Sequence, residues 1–150
     1  MHALPHRYHV RASGKTAGDV ELRADGLPML PSASPAEFGG PGDRWSPETL
    51  LVAAVADCFI LTFRAIAKGS TLSWTSLECR VVGTLDRIDR VTQFTHFDVT
   101  AHLALPTGVD AGMARHLLEK AERNCLITGS LKASVALDVR VEIPEPVEAR

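Results

Sequence analysis

The stretch Ser46-Pro47-Glu48-Thr49-Leu50-Leu51-Val52-Ala53-Ala54-Val55-Ala56-Asp57-Cys58-Phe59-Ile60-Leu61-Thr62-Phe63-Arg64-Ala65-Ile66-Ala67-Lys68-Gly69 reads as one helix with both ends marked. Ser46 suits the cap, Pro47 the first helical position, and Glu48 the positive end of the dipole. At the other end Lys68 complements the negative pole and Gly69 suits a left-handed turn. Between Glu48 and Arg64 the only charge is Asp57, and every face is apolar. Such a helix is expected to be buried on all sides. Its uninterrupted apolar runs fall short of the roughly 20 residues that span a bilayer, so it reads as the core of a soluble domain with Cys58 near its middle.

Working outward, 150 residues fit a single domain large enough for a real core. Hydrophobic residues make up 45% and charged ones 23%, a globular composition. The net charge of −2 offers no electrostatic grip on nucleic acid or an acidic membrane surface. Met1 to Val10 is polar, without the apolar run of a signal peptide. Three widely spaced cysteines do not make a secreted disulfide framework, so a reducing cytoplasm is the expected compartment.

The domain reading covers 1–150: an N-terminal hairpin over 6–23, a long loop over 24–46, the central helix over 47–68 and a hairpin over 75–106. A second helix over 109–125 and a last strand over 134–143 complete it. Leu77, Cys79, Val81, Gly83 and Leu85 share one face of the first long strand, as do Phe97, Val99, Ala101, Leu103 and Leu105 of the second. Ala114, Leu117, Leu118 and Ala121 recur at helical spacing, and Cys125 continues their stripe before Thr128-Gly129-Ser130 breaks it. The order predicts an α+β domain with a mainly antiparallel sheet wrapped on a buried helix. Six or so strands cannot cover such a helix alone, which predicts a dimer that shares the burial.

Cys58 in a mid-helix position gains little from the helix dipole. It is either a small core hydrophobe or a reactive thiol served by groups from elsewhere. Cys125 ends a helix stripe at a turn, while Cys79 falls on the apolar face of a strand and is assigned to the core. Glu48 has a simple explanation as a first-turn carboxylate. Ten residues, about 15 Å of helix rise, separate it from Cys58, so the two side chains meet only across a two-fold axis between antiparallel helices. His96 and His102 lie on one polar strand face, too far apart to share an ion, and no metal or cofactor is expected.

Four pieces taken together are more specific: Phe38-Gly39-Gly40-Pro41-Gly42, Trp45-Ser46-Pro47-Glu48-Thr49-Leu50-Leu51, Ala56-Asp57-Cys58-Phe59 and Asn124-Cys125-Leu126-Ile127. This set, from about residue 8 to 143, resembles the OsmC/Ohr family, the osmotically induced and organic-hydroperoxide-resistance proteins, in its OsmC-like branch. The resemblance implies an intertwined homodimer and a thiol-dependent peroxidase active in the oxidative stress response. The cysteine matching Cys58 attacks the peroxide. The one matching Cys125 resolves the sulfenic acid to a disulfide, which a dithiol reductant such as a lipoylated protein reopens. Glu48 matches the family glutamate, which works with an arginine. That arginine is missing at the corresponding places, around Lys15 to Ala17 and Phe38, and Arg44 is the substrate-binding candidate by position, with a solvated loop residue as its plain alternative. Leu126 also stands where the family often has proline. The rival reading on the same fold is a non-catalytic protein that holds a small apolar ligand at the dimer interface. The resemblance further implies that Cys58 and Cys125 approach within disulfide range.

Overall fold

The computed structural model describes residues 1–145; residues 146–150, the tail of the domain read from sequence, lie outside them. The chain forms two compact units, Met1–Leu51 and the residues from Val52 onward.

The first unit is a three-stranded antiparallel sheet in the order β1 (Arg11–Ser13), β2 (Val20–Arg23), β3 (Leu30–Ser32). β1 and β2 form the hairpin expected there, with Ala12 opposite Leu22. β3 breaks the expectation of an unbroken loop over 24–46. Its Pro31 sits opposite Glu21 on an edge strand, where a residue without an N–H is tolerated. After a 3-10 turn at Ala36–Phe38, the Ala33 N–H donates to the Trp45 carbonyl at 2.9 Å and returns the chain to the sheet. A Cβ on Gly40 would fall on the Ser34 carbonyl, so the glycine run lets this strap fold back on itself.

Helix α1 (Pro47–Gly69) starts in this unit and continues into the next. Ser46 caps it reciprocally with Thr49. The Thr49 N–H donates to Ser46 Oγ at 3.1 Å and the Ser46 N–H to Thr49 Oγ1 at 2.8 Å. Glu48 is thereby left out of the capping hydrogen bonds.

The second unit adds β4 (Ser76–Ile88), β5 (Val91–Ala104), α2 (Ala111–Arg123) and β6 (Ser134–Glu142). β4 and β5 form the long antiparallel hairpin, closed by Asp89 and Arg90, both in the left-handed region. β6 runs parallel to β5, because α2 carries the chain back across the sheet before the last strand begins. The protein is therefore α+β with mainly antiparallel pairing and a long central helix, but its strands fall into two three-stranded sheets.

The core of this unit is built from Phe59 and Phe63 of α1, Phe97 and Leu103 of β5, and Leu118 of α2. The expectation that α1 is buried all round fails within one chain. Only Val55, Phe59, Phe63 and Ala67 are buried, one residue per turn, while Leu61 is 49% exposed. One three-stranded sheet and one short helix cover a single stripe of a cylinder and leave its other apolar faces open. Asp57 and Arg64 interrupt its apolar runs, yet an 18-residue window reaches a mean hydropathy of 2.1, so that by length and composition alone the helix could cross a membrane, a test that core helices also pass.

Gly83 sets how closely α1 approaches the sheet. A Cβ there would lie 2.8 Å from Val52 Cγ2 and 3.0 Å from the rings of Phe94 and Phe97, which stack at 5.4 Å. Gly83→Ala is expected to lower stability by about 1–3 kcal/mol through overpacking, read as a lower denaturant midpoint at unchanged slope. A midpoint equal to that of the wild type would show that the helix approach has slack.

Candidate functional site

Cys58 occupies the centre of α1, half-buried and next to the buried Phe59 in the core stripe. One turn on, Thr62 brings its hydroxyl to 3.8 Å from the sulfur, an i,i+4 neighbour on the same face.

Cys125 arrives from α2. Asp110 caps that helix, its carboxylate accepting from the Gly112 and Met113 N–H groups at 2.8 and 3.2 Å. This fixes the phase of the buried stripe Ala114, Leu117, Leu118 and Ala121, and the stripe carries Cys125 inward at 4% exposure. The turn is tied down around it: the Cys125 carbonyl accepts from the Gly129 N–H at 3.0 Å and from Thr128 Oγ1 at 3.3 Å.

The Cys125 thiol and the backbone N–H groups of Leu126 and Ile127 that follow it lie near enough to favour the Cys58 thiolate, while Thr62 is its side-chain hydrogen-bond partner among the described residues. All three cysteines are free thiols. Burial pushes the Cys58 thiol up. The Ile127 N–H, the Cys125 thiol, the Thr62 hydroxyl and the Leu126 N–H outweigh it, so its pKa lies below the ordinary thiol value. Cys79 behaves oppositely. Burial first, and the neighbouring Cys125 charge second, push it up to about 11. Its place on the inner face of β4 is the one read from sequence, and its closeness to Cys125 is new.

Glu48 and Arg44 belong to the N-terminal unit. Glu48 Oε2 is buried and has no hydrogen-bond partner among the described residues. The Arg44 guanidinium is held by two carboxylates, Asp19 at 2.9 Å and Asp43 at 3.3 Å, which keep it charged. Glu48 is not among the contacts of Arg44. Arg44 lines an open depression of about 520 Å³ together with Leu30, Pro31, Trp45 and Thr49. His96 hydrogen-bonds Ser134 and Asp98, and His102 bonds Glu142, across the exposed strand face.

Sequence reading missed Thr62 and the Leu126 and Ile127 amides. Thr62 was findable from its i,i+4 spacing to Cys58. A backbone N–H leaves no trace in a sequence, except that neither residue is proline.

Comparison with known proteins converges on one family. The OsmC-like protein model matches residues 40–140. An uncharacterized protein of Bacillus subtilis, YmaD, is 24% identical over 142 residues, 92% of this chain and 95% of its own. Peroxiredoxin OsmC of Escherichia coli is 28% identical over 97 residues, covering 65% of this chain and 67% of its own. The crystal structure of an organic hydroperoxide resistance protein OsmC from Legionella pneumophila superposes with a TM-score of 0.70 at 27% identity. It covers 93% of this chain and 99% of that one. With the model spanning the central helix, both sheet strands of the hairpin, Cys58 and Cys125, the chain belongs to the OsmC/Ohr family of OsmC-like proteins.

Proposed function

We propose that the protein is a cytoplasmic, cysteine-based peroxidase that reduces organic hydroperoxides, with Cys58 attacking and Cys125 resolving. What supports this reading is the pair of free thiols, Cys58 half-buried in the middle of α1 with the Thr62 hydroxyl at 3.8 Å and Cys125 buried at the end of the α2 stripe, with neighbouring donors holding the Cys58 pKa below the ordinary thiol value. The family includes proteins named peroxiredoxin and organic hydroperoxide resistance protein.

The chemistry balances without a cofactor. The Cys58 thiolate attacks the terminal peroxide oxygen and the O–O bond breaks. The alkoxide leaves as alcohol after taking a proton, and sulfur, oxidised by two electrons, becomes a sulfenic acid. The Cys125 sulfur then attacks Cys58 sulfur, expelling water and forming the disulfide. A dithiol reductant, lipoyl-like in the family pattern, restores both thiols and is itself oxidised to a disulfide.

The working unit is a homodimer. The apolar faces of α1 left open in one chain, including Leu61, call for cover, and a second copy of the same helix supplies it. Glu48 acts in trans, its unpartnered carboxylate oxygen meeting the partner's site, because about 15 Å of helix rise keeps it from its own Cys58. With Arg44 engaged by Asp19 and Asp43, its part in substrate binding requires exchange of those pairs on dimerisation.

Reduced protein given one equivalent of cumene hydroperoxide is expected to lose two thiols per chain. Cys58→Ser should lose none, and Cys125→Ser one, with the sulfenic acid trapped by dimedone. An unchanged thiol count in the wild type would sink the peroxidase and leave the rival apolar-ligand protein in its place.

Mixing Glu48→Ala chains with Cys58→Ser chains tests the cross-chain role. A heterodimer then rebuilds one complete site, so activity should recover toward half the wild-type value per mixed dimer. Mixed samples no more active than their parents would contradict action in trans.

A further inference from the structure

The exposed face of the second unit's sheet carries a side-chain cluster that the thiol chemistry does not use. Phe97, Val99 and Ala101 of β5 are buried on the core side. Alternate residues of a strand share a face, so His96, Asp98, Thr100 and His102 stand on the other side. β6 runs parallel beside β5, and its first residue, Ser134, is in register with His96. The Ser134 hydroxyl lies 2.7 Å from His96 Nδ1, and Asp98 Oδ1 lies 3.1 Å from His96 Nε2. Hydroxyl, imidazole and carboxylate thus form one chain of hydrogen bonds, each member held by a strand rather than a loop.

The carboxylate decides the tautomer. Nε2 carries the proton that Asp98 accepts, which leaves the Nδ1 lone pair facing the Ser134 hydroxyl. These are the roles of a serine nucleophile, its base and the carboxylate that orients the base, with the two ring nitrogens exchanged relative to the serine-hydrolase triad. The Thr95 carbonyl competes for the hydroxyl proton only at 3.4 Å, a much weaker contact. His102 supplies the contrast on the same face. Its Nε2 meets Glu142 at 3.0 Å, but no hydroxyl reaches its Nδ1 among the described residues. The His96 side chain is 34% exposed and Ser134 is exposed, so a reactant reaches the pair without a conformational change.

We propose that Ser134 is a nucleophile toward small activated esters, with His96 as its general base and Asp98 as the residue that positions the base. The partners of Ser134 Oγ are a ring nitrogen and a carbonyl, so no donor among them stands ready for an oxyanion. That restricts the substrate class to esters whose leaving group departs unaided, such as aryl acetates. Ser134 Oγ attacks the carbonyl carbon while its proton passes to His96 Nδ1. The bond from that carbon to the aryl oxygen breaks, the aryloxide leaves with the electron pair, and Ser134 keeps the acetyl group. His96 returns its proton to solvent, and water deprotonated by the same nitrogen then cleaves the acetyl-serine to acetate and free hydroxyl. No thiol takes part, so this activity stands or falls apart from the peroxidase reading.

The test gives wild-type protein p-nitrophenyl acetate, quenches early time points in acid and maps acetyl groups by peptide mass spectrometry, which separates Ser134 from the thiols. Ser76 is the internal reference, an exposed serine at the start of β4 with no imidazole partner among the described residues. A positioned general base contributes about a hundredfold or more, so Ser134 is expected to gain acetyl about a hundredfold faster than Ser76. His96→Gln should remove that advantage. Asp98→Asn should slow acetylation and also abolish the Nε2–H tautomer of His96 in the ring-nitrogen NMR spectrum, a signal that a merely structural carboxylate would not move. Ser134 acetylated no faster than Ser76 in the wild type overturns the proposal, whether or not the variants fold. Undiminished acetylation in His96→Gln, or an unchanged His96 tautomer in Asp98→Asn, overturns it as well.

Discussion

The structure depends on the seating of one turn, Cys125 to Ile127, against the middle of α1 at Cys58. Most of what makes Cys58 more than a small core residue comes from this turn, with the Thr62 hydroxyl of its own helix adding to it. Burial alone would raise a thiol pKa and leave it inert. Two backbone amides, a second thiol and the Thr62 hydroxyl reverse that sign. Cys79, more deeply buried and served only by burial and a like charge, is pushed up to about 11.

The seating is a product of packing rather than of local sequence. Asp110 fixes where α2 begins, the stripe from Ala114 to Ala121 fixes its rotation, and Cys125 follows in phase. On the other side, Gly83 lets α1 lie close over β4 and β5, with Val52 where a Cβ would otherwise stand. Two rigid elements are thereby brought to one point from residues 67 positions apart. The same packing leaves most of α1 uncovered, which ties the chemistry to assembly in the proposed dimer.

Much of this was legible in the sequence, because its signals are local. Ser46 and Gly69 bracket α1 within the bounds observed, and the alternation of Leu77 to Leu85 with Phe97 to Leu105 gave the long hairpin. The stripe ending in Cys125 marked α2. What escaped was set by tertiary context. β3 contains Pro31, a residue that argues against a strand until it is seen at an edge. The burial of α1 on one stripe follows from how few elements the chain has to cover it. Arg44 was placed by its nearness to Glu48 in sequence, whereas Asp19, 25 positions away, holds its guanidinium. The amides of Leu126 and Ile127 belong to the backbone, and no side-chain pattern points to them.

The central claim is that Cys58 and Cys125 form one redox pair. Peptide mapping by mass spectrometry after a single stoichiometric peroxide turnover tests it most directly. The account predicts a peptide containing Cys58 joined to one containing Cys125, 2 Da lighter than the two reduced peptides together, with Cys79 still a free thiol. A bridge that instead includes Cys79, or oxidised Cys58 with Cys125 untouched, would contradict it.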